Sequence, residues 1–245
     1  MTYASYYDHW LPADSTARLE AARRKLEPLR PYLPPDRGAL IVDMGSGPGL
    51  LALALAELGY TRIISFDSDS GQVENGRRFG VDVKLVSVDA VPQFLDSLRG
   101  QVTLFLLIDV LEHIPPAQQM SVLRSIKSAL GSGGRFMCQV PNADSPVAMR
   151  YRYGDWTHHC VFTFESLQFV LSESGFEVAG ITESPTHRLR AFGQGPRAFA
   201  WFALASLVRG VTRLKMLPFL GKRIALNAPL SANILAAASP AGRDE

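Results

Sequence analysis

The chain has 245 residues, 47% of them hydrophobic, two cysteines and a net charge of +2. That is enough apolar material for one α/β domain with a substantial core, and too short a chain for two full domains. Two cysteines, Cys138 and Cys160, exclude a disulfide framework, and Met1–Trp10 shows no basic run followed by an apolar one, so a cytoplasmic setting is expected.

Charge is unevenly distributed. Residues 184–243 hold nine basic side chains and no acid, and subtracting nine from the total of +2 leaves −7 for the rest of the chain. Such asymmetry points to an anionic partner on one face. Nucleic acid is not that partner on this reading, because the cations sit in an apolar segment rather than along a groove-lining surface.

Residues 1–38 read as an N-terminal cap. Tyr3, Tyr6, Tyr7, His9 and Trp10 open it, and Leu19, Ala22, Leu26 and Leu29 then recur at three- and four-residue steps in a helix over about residues 15–29. Packing on the domain accounts for the helix. The aromatic cluster is the part able to close over a substrate.

Leu40–Leu51 carries the organising signal. Its apolar front (Ala39–Val42) predicts a buried strand, its glycines at 45, 47 and 49 a tight turn, and Leu50–Leu58 a helix. Glycine suits such a turn because a Cβ blocks left-handed backbone angles and close approach of a ligand to the main chain. A dinucleotide fingerprint requires a third glycine where Leu50 stands. Asp43 at the strand end would also repel a pyrophosphate, whereas it would attract a cationic sulfonium or amino group.

Three more strands end in acid. Thr61–Asp69 places Asp67 24 positions beyond Asp43, where a carboxylate accepts hydrogen bonds from both hydroxyls of a ribose, and Asp69 suits a helix N-cap. Val83–Ala90 predicts a third strand ending at Asp89. Val102–Ile108 is the most apolar stretch of the front half, which predicts burial on both faces at the centre of a parallel sheet. It delivers Asp109-Val110-Leu111-Glu112-His113-Ile114-Pro115 to the carboxyl edge, where ligands bind in open α/β folds.

A helix over Ser121–Leu130 stopped by Gly131–Gly134, a fifth strand over Arg135–Val140, and a helix over Phe164–Ser174 with Thr163 as N-cap and Gly175 as C-cap follow. Phe176–Ile181 predicts the sixth strand and Ser231–Ala238 the seventh. Between them, residues 185–229 form an insert whose apolar centre, Ala198–Val208, is too short to span a bilayer yet apolar enough to want cover. A helix over about residues 196–217 is expected, and residues 196–223 serve a membrane interface, a homodimer contact or docking on the domain.

These motifs carry a family resemblance over about residues 40–176. Asp43-x-Gly45-x-Gly47-x-Gly49 resembles the first motif of class I S-adenosylmethionine (SAM) dependent methyltransferases, and Asp109–Pro115 their fourth. Gly154-Asp155-x-Thr157-His158-x-x-x-Phe162-Thr163 resembles bacterial methyltransferases of polysaccharide and related glycan biosynthesis, of the type 11 and type 23 kind. The resemblance implies a Rossmann-like, seven-stranded, mostly parallel sheet with helices on both faces, an antiparallel last strand, and SAM as cofactor. It implies one methyltransferase domain: a cap (1–38), a SAM-binding core (39–184), a helical insert (185–229) and a last strand (230–239).

Cofactor contacts are then expected from Asp43, Gly45, Ser46, Gly47, Gly49, Leu50, Asp67, Ser68, Asp89, Ala90 and Asp109. His113, His158 and His159 are the candidate bases, since histidine titrates near about 6.5 and a hydroxyl acceptor needs one. Asp109-x-x-Glu112-His113 with His158 also resembles the metal cluster of small-RNA 2′-O-methyltransferases and the E-x-x-E-H of ubiquinone-biosynthesis O-methyltransferases. The first ligand is Asp where those enzymes have Glu, so no metal is expected, with Glu112 and His113 the candidate ligands otherwise. The expected function is O-methylation of a sugar hydroxyl in a glycan, lipid-linked or nucleotide-sugar acceptor, at the inner face of a membrane if the insert docks there. The alternatives are a small aromatic or quinone-like acceptor, and a SAM-binding protein without catalysis.

Overall fold

A computed structural model describes residues 14–184 and 196–242, without the side chains of residues 196–199, 201 and 202. The Tyr3, Tyr6, Tyr7, His9 and Trp10 cluster and the start of the insert lie outside these residues. Seven strands form one sheet: β1 (Ile41–Met44), β2 (Ile63–Asp67), β3 (Val83–Leu85), β4 (Val102–Ile108), β5 (Leu130–Pro141), β6 (Phe176–Glu183) and β7 (Asn233–Pro240). Their order is β3-β2-β1-β4-β5-β7-β6, parallel except for β7, which runs antiparallel to β5 and β6. The chain works outward from β1 to β3 and returns to β4. The resulting reversal between β1 and β4 opens a crevice at the strands' carboxyl ends.

β4 shows why the sheet is buried on both faces. Leu104, Leu106 and Ile108 enter one apolar cluster with Leu26, Leu51 and Leu55, while Phe105 and Leu107 enter the other with Leu123, Ile126 and Phe136. The first face is covered by α1 (Ser15–Leu26) and α2 (Leu50–Glu57). The second is covered by α4 (Val91–Asp96), α5 (Pro116–Ala129) and α7 (Phe164–Glu173). Between α2 and α4, α3 (Ser70–Arg78) starts at the N-cap Asp69, whose side chain accepts from the Gln72 amide. Thr163 caps α7 in a reciprocal capping box with Ser166, and Gly175 follows it at φ 86°.

Several boundaries differ from the sequence expectation, each for a local reason. The third strand stops at Leu85, because it is an edge strand whose partner β2 ends at Asp67, paired with Leu85. Val88–Ala90 is a 3₁₀ turn instead. The first helix ends at Leu26 and tightens into a 3₁₀ turn over Glu27–Tyr32, where Pro28 and Pro31 lack amide donors. α5 starts earlier, at Pro116, since proline suits the first turn. The glycine run 131–134, expected only as a helix stop, belongs to β5, which begins at Leu130 opposite Val102 and shifts register before Leu104. In the insert, α8 (Pro196–Asn227) runs ten residues beyond the expected end and breaks at Gly221 (φ 73°, ψ 166°).

Phe136 ties three strands: its ring lies 6.2 Å from that of Phe105 on β4 and 4.8 Å, stacked, from that of Phe176 on β6. Phe136→Ala is expected to destabilise the fold by about 3–5 kcal/mol, read as a lower urea midpoint at unchanged slope.

Candidate active site

The turn after β1 is built by backbone. The Gly45 and Ser46 amides both donate to the Phe66 carbonyl, and the Gly47 amide donates to Asp67 Oδ2 at 2.8 Å. Gly45 adopts φ 66°, and a Cβ there would lie 2.4 Å from Val110 Cγ2, so no side chain fits. Asp67 Oδ1 accepts from the Asp69 amide at 2.9 Å. One carboxylate therefore locks the glycine turn to the end of β2. Burial raises its pKa, against the lowering effect of those amide donors.

Asp43 lies beneath the turn, 2% exposed, with Oδ2 lacking a hydrogen-bond partner. Burial raises it to about 7, partly offset by the charge of Lys25. At the end of β4, Asp109 takes φ 60°, the one left-handed non-glycine among the described residues. Such a conformation costs of order 1–3 kcal/mol and persists only where neighbours hold it. Gln139 on β5 donates to Asp109 Oδ1 at 2.9 Å, Asn233 on β7 donates at 3.3 Å, and the Ser184 hydroxyl donates to Gln139 Oε1 at 2.6 Å. Strands β4, β5 and β7 and the residue after β6 thus converge on this carboxylate.

Beyond it stand Glu112, His113 and His158. Glu112 is 1% exposed with neither carboxyl oxygen hydrogen-bonded, and burial, aided by Asp109, pushes its pKa well up. His113 Nδ1 lies 2.8 Å from Thr157 Oγ1. The Thr157 hydroxyl gives its proton to Asp155 Oδ1 at 2.7 Å, so it accepts from His113, which fixes the proton on Nδ1. Burial first, then His158, lowers His113 to about 4 and keeps it neutral. His158 Nδ1 donates to the Tyr151 carbonyl at 2.7 Å, leaving Nε2 as the acceptor, 3.8 Å from Asp155 Oδ2. The two imidazoles meet edge to face, 4.5 Å between centroids.

A cavity of about 560 Å³ joins these parts, lined by Gly45, Ser46, Gly47, Leu50, Asp67, Ser68, Asp109, Glu112, His113 and His158 among others. That is within the usual range for a small-molecule site. Gly49 is not in the lining: a Cβ there would lie 2.5 Å from Val81, so it serves packing of the turn. Asp43 supports the floor from below. Asp89 is exposed in its 3₁₀ turn, and neither it nor Ala90 lines the cavity. The His159 side chain is exposed and also outside the lining, although its amide donates to the Glu112 carbonyl at 2.8 Å.

Sequence reasoning missed Lys25, Gln139, Tyr151, Thr157 and Asn233. Lys25 reaches the cavity from α1 and is the one Lys or Arg in its lining. The residue's place on the polar side of the cap helix carries no local signal of that role.

With a folded pKa above its unfolded one, Glu112 keeps a proton that the unfolded chain releases, so its contribution to stability falls as pH rises above the unfolded value. Glu112→Gln is expected to remove that decline. Urea midpoints measured from about pH 5 to about pH 8 should drop less with pH in the variant than in the parent chain.

Comparison with known proteins agrees with this architecture. A family model described as a methyltransferase domain matches residues 10–180. The ubiquinone biosynthesis O-methyltransferase of Xanthomonas campestris is 25% identical over 214 residues, covering 84% of this chain and 78% of its own. A ribosomal protein L11 methyltransferase of Symbiobacterium thermophilum is 31% identical over 106 residues, or 41% of this chain, which spans only 31% of that protein. Among solved structures, a SAM-dependent methyltransferase of Archaeoglobus fulgidus superposes with TM-score 0.67 at 16% identity, covering 96% and 99% of the two chains. The 1,6-didemethyltoxoflavin-N1-methyltransferase of Burkholderia thailandensis, solved with S-adenosylhomocysteine, gives 0.56 at 18% identity over 98% and 84%. The chain belongs to the methyltransferase domain family and has the class I fold of SAM-dependent enzymes.

Proposed function

We propose that this protein transfers the methyl group of SAM to a sugar hydroxyl in a glycan, lipid-linked or nucleotide-sugar acceptor. Bound SAM supplies a methyl group already activated on a sulfonium, so the protein's tasks are alignment, exclusion of water and removal of one proton. The residues present suit that cofactor. Asp67 has lone pairs left for ribose hydroxyls, the glycine turn leaves room for close approach, Asp109 faces the cavity as a partner for a cationic group, and Lys25 offers a counter-charge to a carboxylate.

The observation that carries the reading is the histidine pair. His113, at about 4, stays neutral and is a weak base, so the proton-accepting role falls to Nε2 of His158. Once that nitrogen takes the acceptor's proton, the imidazolium faces Asp155 at 3.8 Å, which stabilises it. A base of this kind matters most for a poor nucleophile such as an aliphatic hydroxyl. The glycan-pathway resemblance of residues 154–163 points the same way. A phenol or quinone-like acceptor is the alternative, supported by the ubiquinone-biosynthesis relatives.

A second mechanistic reading has one observation in its favour. Ligand atoms of Glu112, His113 and His158 all lie within 4.8 Å of one another, and both rings already spend Nδ1 on hydrogen bonds, as imidazole ligands do. A divalent ion held there would polarise the acceptor oxygen in place of a base.

Four measurements decide. Asp67→Ala should weaken SAM binding in calorimetry by about 1.5–3 kcal/mol, the worth of a charge-assisted hydrogen bond. His158→Ala should keep SAM affinity and lose at least about 100-fold in turnover, and survival of turnover within about threefold would remove the base assignment. Labelled SAM offered with glycoside, nucleotide-sugar and phenol acceptors identifies the substrate class. Repeating the assay in excess chelator separates the mechanisms: full activity leaves the histidine base, and loss restored by a divalent ion selects the metal.

A further inference from the structure

Helix α8 is mounted inside out. At about 3.6 residues per turn, Leu204, Leu207, Val208, Val211 and Leu214 share one face, with Arg209, Thr212, Arg213 and Met216 opposite. The apolar set faces solvent: Leu207 and Leu214 are each 64% exposed, and the other three are 42–49% exposed. The arginine-bearing set faces the domain. Arg209 pairs with Glu183 at the end of β6, both side chains mostly buried, and Arg213 Nε is buried. The charge asymmetry of residues 184–243 points to an anionic partner, yet Arg209 and Arg213 turn toward the domain. Glu183 is the reason for the difference, since its carboxylate holds Arg209 in the middle of the insert and also accepts the Leu230 amide just beyond its end.

Topology puts both ends of this insert at the carboxyl edge of the sheet. α8 connects the carboxyl end of β6 to the start of β7, and β7 begins at Asn233, which lines the cavity. α6 (Ala148–Gly154) follows β5 at the same edge, and with its following loop it exposes Met149, Tyr153 and Trp156, the last at 95%. The carboxyl edge therefore carries apolar side chains that none of the described residues covers.

We infer that this edge docks on an anionic lipid surface, with the outward stripe of α8 at the acyl boundary. Exposed Lys215, Lys222 and Arg223 stand at the headgroups. Charge selects the lipid over a second copy of the chain. With no acid between residues 184 and 243, a two-fold contact would bring the helix's cations toward their own copies without compensation. Among the described residues no helix is long and apolar enough to cross a membrane, so the contact lies on the surface. Docking does not depend on the acceptor's being a sugar, and it would present a lipid-carried acceptor directly to the cavity.

Flotation of the full chain with phosphatidylglycerol-containing vesicles tests this, against pure phosphatidylcholine vesicles and against high salt. The protein should float only with the anionic vesicles and be released by salt. Leu207→Glu/Leu214→Glu should reduce the bound fraction about tenfold or more while SAM affinity and thermal midpoint stay unchanged, and Lys215→Glu/Lys222→Glu should remove the preference for anionic lipid. Failure of the intact chain to float overturns the inference. So does an intact dimer that the leucine variant turns into a monomer, since a second copy then covers the stripe. Methyl transfer to water-soluble acceptors, unchanged in the leucine variant, keeps this result separate from the fate of the sugar reading.

Discussion

The apolar run of β4 constrains everything around it. Buried on both faces, Leu104–Ile108 cannot carry a polar side chain toward either helical layer without leaving that group unsatisfied. Polar chemistry is therefore displaced to the carboxyl end, where Asp109, Glu112 and His113 follow within five residues. The reversal of strand order between β1 and β4 opens space at that position. The glycine turn after β1 can then approach the same crevice from the other side, held there by Asp67.

The electrostatics of the cavity follow from burial. Asp43, Asp67 and Glu112 are all pushed upward by removal from water, and His113 is pushed down. Burial thus disfavours the charged form of each of these groups. Lys25, reaching in from the cap helix, opposes the rise at Asp43 and Glu112. The cap is thus part of the site's electrostatics as well as its packing. His158 differs from His113 in having its Nε2 3.8 Å from a carboxylate oxygen of Asp155, which makes the two rings unequal partners.

The carboxyl edge combines two functions that usually compete. Asp109 in its left-handed conformation needs rigid neighbours, and Gln139 and Asn233 supply them from adjacent strands. The same edge launches α6 and α8, whose exposed apolar side chains gain nothing from the fold. An ion pair to Glu183 orients α8 so that those side chains face outward.

How much was legible in the sequence depends on the range of the interaction. The strand order rests on distant pairings such as Ile41 with Leu104, and only the family resemblance implied the type of sheet. The glycine turn, the acids at 67 and 109 and the caps at Asp69 and Thr163 follow from local patterns: apolar runs, left-handed glycine positions and side-chain oxygens before a helix. These depend on neighbours within a few residues, so the sequence alone determined them. The short third strand was not legible, because its end depends on where its partner β2 stops. Nor were the lining role of Lys25, the support of Asp109 by Asn233, the exposure of His159 and the outward face of α8. Each depends on groups far apart in the chain: 124 residues separate Asp109 from Asn233, and 26 separate Glu183 from Arg209. A pattern can say that a helix has an apolar face, but only the position of a buried carboxylate on another strand decides which way that face turns.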